Sequence, residues 1–192
     1  MKSNPDPMIL HILSKLGCGF DCASKSEIVA ALSTGVNTNK IIYANPCKDN
    51  PSLKFARAQN VDYLTFDSGS ELDKIKIFHP DASCVIRIKV DDAGSTCRFS
   101  CKFGCTIEEA NELLQLAKAD DICVAGVSFH VGSNCKSLGY FSKAIKDARQ
   151  VFELGKKLGF EMKILDIGGG FPGTDDVEVT FEQLSIEINK AI

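Results

Sequence analysis

Short apolar, β-branched runs alternate with helical stretches along the whole chain, and that rhythm restricts the fold more than any other feature. The strand candidates are Gly19-Phe20-Asp21, Ile41 to Tyr43, Tyr63 to Phe66, Cys84 to Ile88, Val124 to Phe129 and Met162 to Ile167. Their near-continuous apolar character marks strands buried on both faces, as in a parallel sheet. Helical periodicity fills the gaps. Pro7 to Leu16 places Ile9, Ile12, Leu13 and Leu16 on one face, and Ser24 with Glu27 has capping-box spacing. Thr106 to Lys118 carries Glu108 and Glu109 at its positive end. Tyr140 to Leu158 lines up Phe141, Ala144, Ile145, Ala148 and Phe152, and Phe181 to Ile192 closes the series. Strand and helix at this cadence predict βα units, in a doubly wound sheet or a barrel.

Residues at or near the strand ends favour the barrel. Asp21, Asn45, Asp67, Arg87, His130 and Gly168 follow strand after strand, and in a (β/α) barrel those ends converge on one active-site face. A barrel needs eight strands and typically about 250 residues. Counting a strand that ends at Met1, about seven βα units are expected. The expected fold class is therefore α/β, an incomplete (β/α)8 TIM-like barrel, with residues 1–192 as one domain truncated at both ends.

Composition narrows the function classes. At 44% hydrophobic and 24% charged residues the chain is ordinary globular material. A net charge of −3 without a basic stripe argues against nucleic acid as a partner. No apolar run reaches membrane-span length and no signal-peptide core follows Met1, so no membrane partner and a cytoplasmic address are expected. The nine cysteines do not form C-x-x-C pairs. Cys97, Cys101 and Cys105 lack a fourth ligand nearby, and reduced cytosolic thiols with no metal are the expectation.

Gly168-Gly169-Gly170 follows the last strand candidate. Successive glycines let backbone N–H groups approach an anion, and barrels often hold phosphate after strands seven and eight. A plain flexible turn explains three glycines as readily. Phe129-His130-Val131-Gly132-Ser133 ends the preceding strand, where His130 can act as base, ligand or stacking surface and Ser133 can reach the same phosphate. Asp21, Glu27 and Arg87 lie on the same face or just behind it. Arg87 interrupts an apolar strand and needs an anionic partner if buried, for which Asp21 is the natural candidate. Lys2, near the terminus, reads locally as a solvated lysine.

Taken together, these segments resemble the eukaryotic-type ornithine decarboxylases, within the fold-type III pyridoxal-phosphate group that includes diaminopimelate and arginine decarboxylases. The resemblance runs through Gly19-Phe20-Asp21-Cys22-Ala23-Ser24-Lys25, Ile41-Ile42-Tyr43-Ala44-Asn45-Pro46-Cys47-Lys48, Phe66-Asp67-Ser68, Lys102-Phe103-Gly104, Val127 to Ser133 and the glycine loop. It implies pyridoxal 5'-phosphate as cofactor and an amino acid as substrate. It also implies Lys2 as the lysine bonded to the cofactor and, with His130, a catalytic residue. Met1-Lys2-Ser3-Asn4 stands where the family carries Val-Lys-Cys-Asn or Val-Lys-Ala-Asn, so Ser3 is a departure. By the same resemblance His130 stacks on the cofactor ring. Ser133 and Gly170, with the rest of Gly168-Gly169-Gly170, hold the phosphate. Asp21, Glu27 and Arg87 form the polar set around the lysine and ring.

The family's glutamate for the pyridine nitrogen, and the cysteine and acidic residues of its C-terminal β-domain, have no counterpart before Ile192. The chain by itself is therefore expected to have little activity, and the full-length protein to be a homodimer. Choice among ornithine, lysine and arginine is left open. A second reading is a non-catalytic regulator resembling antizyme inhibitors, with Asn50 to Lys74 as part of the antizyme-contact region. Those proteins typically lose the acid and the arginine that stand here as Asp21 and Arg87. A third reading is a piece that does not fold alone, since an unclosed sheet exposes its edges.

Overall fold

The computed structural model describes residues 1–192 apart from 94, 98, 136 and 175, and excludes the side chain of residue 134. The strands are β1 (Phe20–Cys22), β2 (Ile41–Tyr43), β3 (Tyr63–Phe66), β4 (Ser83–Arg87), β5 (Ser95–Cys97), β6 (Cys123–Ser128), β7 (Ser133–Cys135) and β8 (Ile164–Asp166). The helices are α1 (Pro7–Lys15), α2 (Lys25–Ser33), α3 (Asn50–Ala58), α4 (Gly69–Phe78), α5 (Ile107–Ala119), α6 (Gly139–Lys157) and α7 (Phe181–Ala191). The main sheet runs β1-β2-β3-β4-β6-β8. The pairs β1/β2, β2/β3 and β6/β8 are parallel. This is the expected α/β alternation. Each of the six strand candidates is present within a residue, except that the Met162-to-Ile167 run pairs only over Ile164–Asp166; the further strand expected to end at Met1 is not among the described strands.

The chain divides into two compact units, Met1–Val85 with Leu116–Cys123 and Ile86–Gln115 with Val124–Ile192. In the first, side-chain caps start α1, α2 and α3. The Asp6 carboxylate accepts the N–H groups of Met8 (2.9 Å) and Ile9 (3.2 Å), and Pro7 at the first helical position has no N–H to satisfy. Asp49 does the same for Ser52 N–H at 2.7 Å. Ser24 accepts the Glu27 N–H at 3.3 Å, but the Glu27 carboxylate reaches back to Ala23 N–H (2.5 Å), one residue earlier than a capping box predicts. The core is Ile28, Leu53, Leu64, Phe66, Leu72, Ile75 and Val85, all fully buried. Such side chains contribute about 1.5–3 kcal/mol each by leaving water. On α1 the buried residue is Leu10, while the apolar stripe of Ile9, Ile12, Leu13 and Leu16 is exposed.

In the second unit α5 opens with a reciprocal capping box. Thr106 N–H donates to Glu109 (2.7 Å), and Glu109 N–H donates to the Thr106 hydroxyl (3.2 Å). Thr180 and Gln183 repeat the device on α7. Helix α6 buries Phe141, Ala144, Ile145, Ala148, Val151 and Gly155. Val151 therefore takes the place expected of Phe152, which is half-buried. At Gly126 a Cβ would stand 2.1 Å from the Ile164 carbonyl oxygen, so the β6/β8 pairing requires glycine there. Strands β5 and β7 form a separate antiparallel ribbon, with Ser95 opposite Cys135 and Cys97 opposite Ser133. Nothing in their short polar runs announces it, and Ser133 starts the second of the two strands. Among the described residues no helix is long and apolar enough to cross a membrane.

Candidate cofactor site

The expected site residues fall in both units. Lys2, Asp21 and Glu27 belong to the first, and Arg87, His130, Ser133 and Gly168 to Gly170 to the second.

In the first unit the Lys2 ammonium lies 3.3 Å from the Asp21 carboxylate, both side chains about half exposed. Asp21 is the middle residue of β1, and its neighbours Phe20 and Cys22 point into the core. That alternation turns its carboxylate the other way. Beyond β1, Ala23 N–H is held by Glu27 and Ala23 C=O accepts the Asn45 side-chain amide at 3.3 Å. The turn carrying the acids is thus tied to the turn after β2. Burial, with Glu27 and Asp21 nearby, pushes the Cys22 thiol up to about 12, so it is an inert core residue.

A group the sequence did not single out sits behind these turns. Lys48, fully buried, points its ammonium at Glu71 (2.8 Å) and at the carbonyls of Thr65 (2.5 Å) and Asn45 (3.1 Å). The other Glu71 oxygen meets Lys74 at 2.5 Å, and Lys74 also donates to the Lys48 carbonyl. Burial draws the Lys48 pKa down, with Glu71 opposing it. The loops after β2 and β3 are pinned at their carboxyl ends by this buried network.

In the second unit, His130 follows β6. Its Nδ1 accepts the Gly132 N–H at 2.9 Å, so the neutral ring carries its proton on Nε2. The Phe99 ring stands edge-on to it, centroids 4.9 Å apart at 69°. The glycine loop lies against the same turn. A Cβ on Gly168 (φ +64) would meet the Phe129 carbonyl at 2.4 Å, and one on Gly170 (φ +109) the Gly132 carbonyl at 2.5 Å. Both residues need the left-handed region as well as the space. Gly168 N–H donates to Asp166 (2.9 Å), closing the turn. Among the described residues the N–H groups of Gly169 and Gly170 have no acceptor. Two adjacent amides without an acceptor, beside a histidine ring and a serine at a strand start, have the donor chemistry of a phosphate cradle. The Arg87 guanidinium lies over the Phe103 ring at 4.9 Å. Cys97 and Cys101 are exposed and Cys105 is buried, its thiol 3.3 Å from the Arg87 carbonyl.

The family described as "pyridoxal-dependent decarboxylase, pyridoxal binding domain" matches residues 1–192. Ornithine decarboxylase of Rattus norvegicus is 47% identical over 192 residues, which is all of this chain and 42% of that protein. Antizyme inhibitor 2 of Xenopus laevis is 46% identical with the same coverage. A mutant of SrLDC, solved in complex with PLP, aligns with a TM-score of 0.92 and 39% identity, covering 98% of this chain and 50% of that one. The chain spans less than half the length of these curated relatives.

Proposed function

The chain belongs to the pyridoxal-dependent decarboxylases as a pyridoxal-binding domain, and on that premise we propose that the longer protein carrying it converts L-ornithine to putrescine. The observation that carries the reading is the Lys2–Asp21 pair, an amine held 3.3 Å from a carboxylate on the first strand.

The residues present fit pyridoxal phosphate. Lys2 supplies the amine that its carbonyl requires, and Asp21 stands where it can take and return the amine's proton. Glu27 holds the Ala23 N–H and thereby the turn behind Asp21. His130, locked at Nδ1 by Gly132, offers a flat ring face. Gly169 and Gly170 offer N–H donors to the phosphate, with Ser133 beside them, while Gly168 shapes the turn. Arg87, the last residue of β4, adds a cation. When bound, the cofactor supplies a conjugated ring that takes up the electron pair left as carbon dioxide departs.

Relatives of both functional classes stand at almost equal identity, so identity does not choose between enzyme and antizyme-binding regulator. Retention of both Asp21 and Arg87 supports the enzyme. The Asn50-to-Lys74 segment also spends its cations internally. Arg57 pairs with Asp81, Lys74 with Glu71, and Lys54 lies over the Phe78 ring. That leaves antizyme as a secondary partner in this reading. A cytosolic homodimer completes the proposal, the nine free thiols bearing on the compartment alone. The test is carbon dioxide release from L-ornithine by the longer protein and its Lys2→Arg variant, which keeps the charge beside Asp21. A loss on the order of 10²–10⁴-fold is expected, the range for a positioned proton-transfer group. Equal rates in both, or no release by either together with tight antizyme binding, would reverse the choice of class.

A further inference from the structure

We infer that Asp92 is a positioning residue for His130, acting through the bonds that hold the Phe99 ring against the imidazole. Asp92 is buried at 4% exposure, and one carboxylate oxygen accepts the Phe99 N–H (2.6 Å) and the Ser100 N–H (2.9 Å). The other accepts the Ser100 hydroxyl at 2.5 Å, while the Asp92 carbonyl accepts Ser95 N–H at 3.1 Å. Burial pushes this carboxyl up, but the bonds from Ser100 and Phe99 outweigh it and hold it below the usual carboxylate range. The donors come from residues seven and eight further along, so one side chain ties Phe99 and Ser100 back to position 92.

That segment is anchored at the turns expected to meet the cofactor. The Ser95 hydroxyl donates to the Val131 carbonyl at 2.6 Å, and Cys135 N–H on the partner strand β7 donates to the Gly170 carbonyl at 3.2 Å. A Cβ on Gly132 would stand 2.6 Å from Ser95 Cβ, so the ribbon lies directly on the histidine turn. His130 is therefore fixed from two directions, at Nδ1 by Gly132 and on its ring by Phe99, and Phe99 is placed by Asp92. A carboxylate that only capped a loop would leave the imidazole indifferent to its loss.

This rests on the reading of His130 as the ring that faces the cofactor, yet its test needs no cofactor. The chain has three histidines, His11, His79 and His130. In ¹³C-histidine-labelled chain, with His130→Gln to assign the signal, Phe99→Leu should shift the His130 ring resonances by removing the neighbouring ring current. Asp92→Ala should move them to the same position while His11 and His79 stay in place. Asp92→Asn should keep them near wild type, because its amide oxygen can accept both N–H groups and its NH₂ can donate to Ser100. Pyridoxal phosphate affinity should fall about 2- to 10-fold in Phe99→Leu and Asp92→Ala, the scale of one aromatic edge contact. His130 signals in Asp92→Ala that coincide with wild type, or that differ from those of Phe99→Leu, would overturn the inference. Failure to bind pyridoxal phosphate at all, with the resonance pattern intact, would count against the function above and leave this inference standing.

Discussion

Replacing Lys48 by methionine removes a fully buried cation beside Glu71. The remaining structure keeps part of what it needs. Glu71 retains Lys74 at 2.5 Å and the Lys48 N–H at 3.3 Å. The carbonyls of Thr65 and Asn45, however, lose their donor, and Thr65 lies inside the parallel sheet at 1% exposure. An unsatisfied buried acceptor costs about 1–3 kcal/mol, and breaking a buried ion pair costs about 3–5 kcal/mol. The two estimates describe the same loss from opposite sides, so about 3–5 kcal/mol is expected. Domains are stable by about 5–15 kcal/mol, which makes this a large fraction. With a urea slope of about 2 kcal/mol per molar, the midpoint followed by circular dichroism should drop about 1.5–2.5 M at unchanged slope. The double variant Lys48→Met/Glu71→Leu leaves no carboxylate in the network and should cost at least 1 kcal/mol less than the two single losses added, the signature of coupled partners. A Lys48→Met midpoint equivalent to less than about 0.5 kcal/mol, the range of ordinary surface changes, or strict additivity, would refute the reasoning.

Three further predictions follow from the same structure. Gly170→Ala puts a side chain at φ +109 and a Cβ 2.5 Å from the Gly132 carbonyl; fluorescence titration should show pyridoxal phosphate binding weakened about tenfold or more, the equivalent of 1.4 kcal/mol. His79 is 1% exposed, its Nδ1 lacks a partner among the described residues, and burial holds its pKa below the ordinary value despite the Val61 carbonyl and Asp62. The unfolded chain then binds the proton more readily, so stability is full above about pH 6.5 and falls as the pH drops below it; His79→Gln should flatten that slope in urea melts. Iodoacetamide with peptide mass spectrometry should find Cys18, Cys47, Cys97, Cys101 and Cys123 fast and Cys22, Cys84, Cys105 and Cys135 slow, since burial pushes Cys22 and Cys84 up to about 12.

What was legible in the sequence was what a single local signal carries. Apolar runs such as Tyr63 to Phe66 and Val124 to Phe129 mark strands because two buried faces leave no room for alternation. The triple glycine and His130 stood out through residue chemistry at strand ends. Long-range partners were not legible. Lys48 sits in a polar turn and reads as solvated, and only Glu71, 23 residues on, makes its burial tolerable. Asp92 is one of two adjacent aspartates, and its donors are set by the path of the loop. Strands β5 and β7 lack hydrophobic alternation because their pairing is with each other. The pairing of Lys2 with Asp21 depends on the fold bringing a terminal lysine back to β1, and the family resemblance alone promoted that lysine beforehand.

Lys2 is the residue on which cofactor attachment depends. The chain can be incubated with pyridoxal phosphate, reduced with borohydride and digested, and the modified lysine located by peptide mass spectrometry. The account predicts a phosphopyridoxyl group on Lys2, lost in Lys2→Ala and weakened in Gly170→Ala. Labelling of another lysine with Lys2 unmodified, or equal labelling in Lys2→Ala, would contradict it.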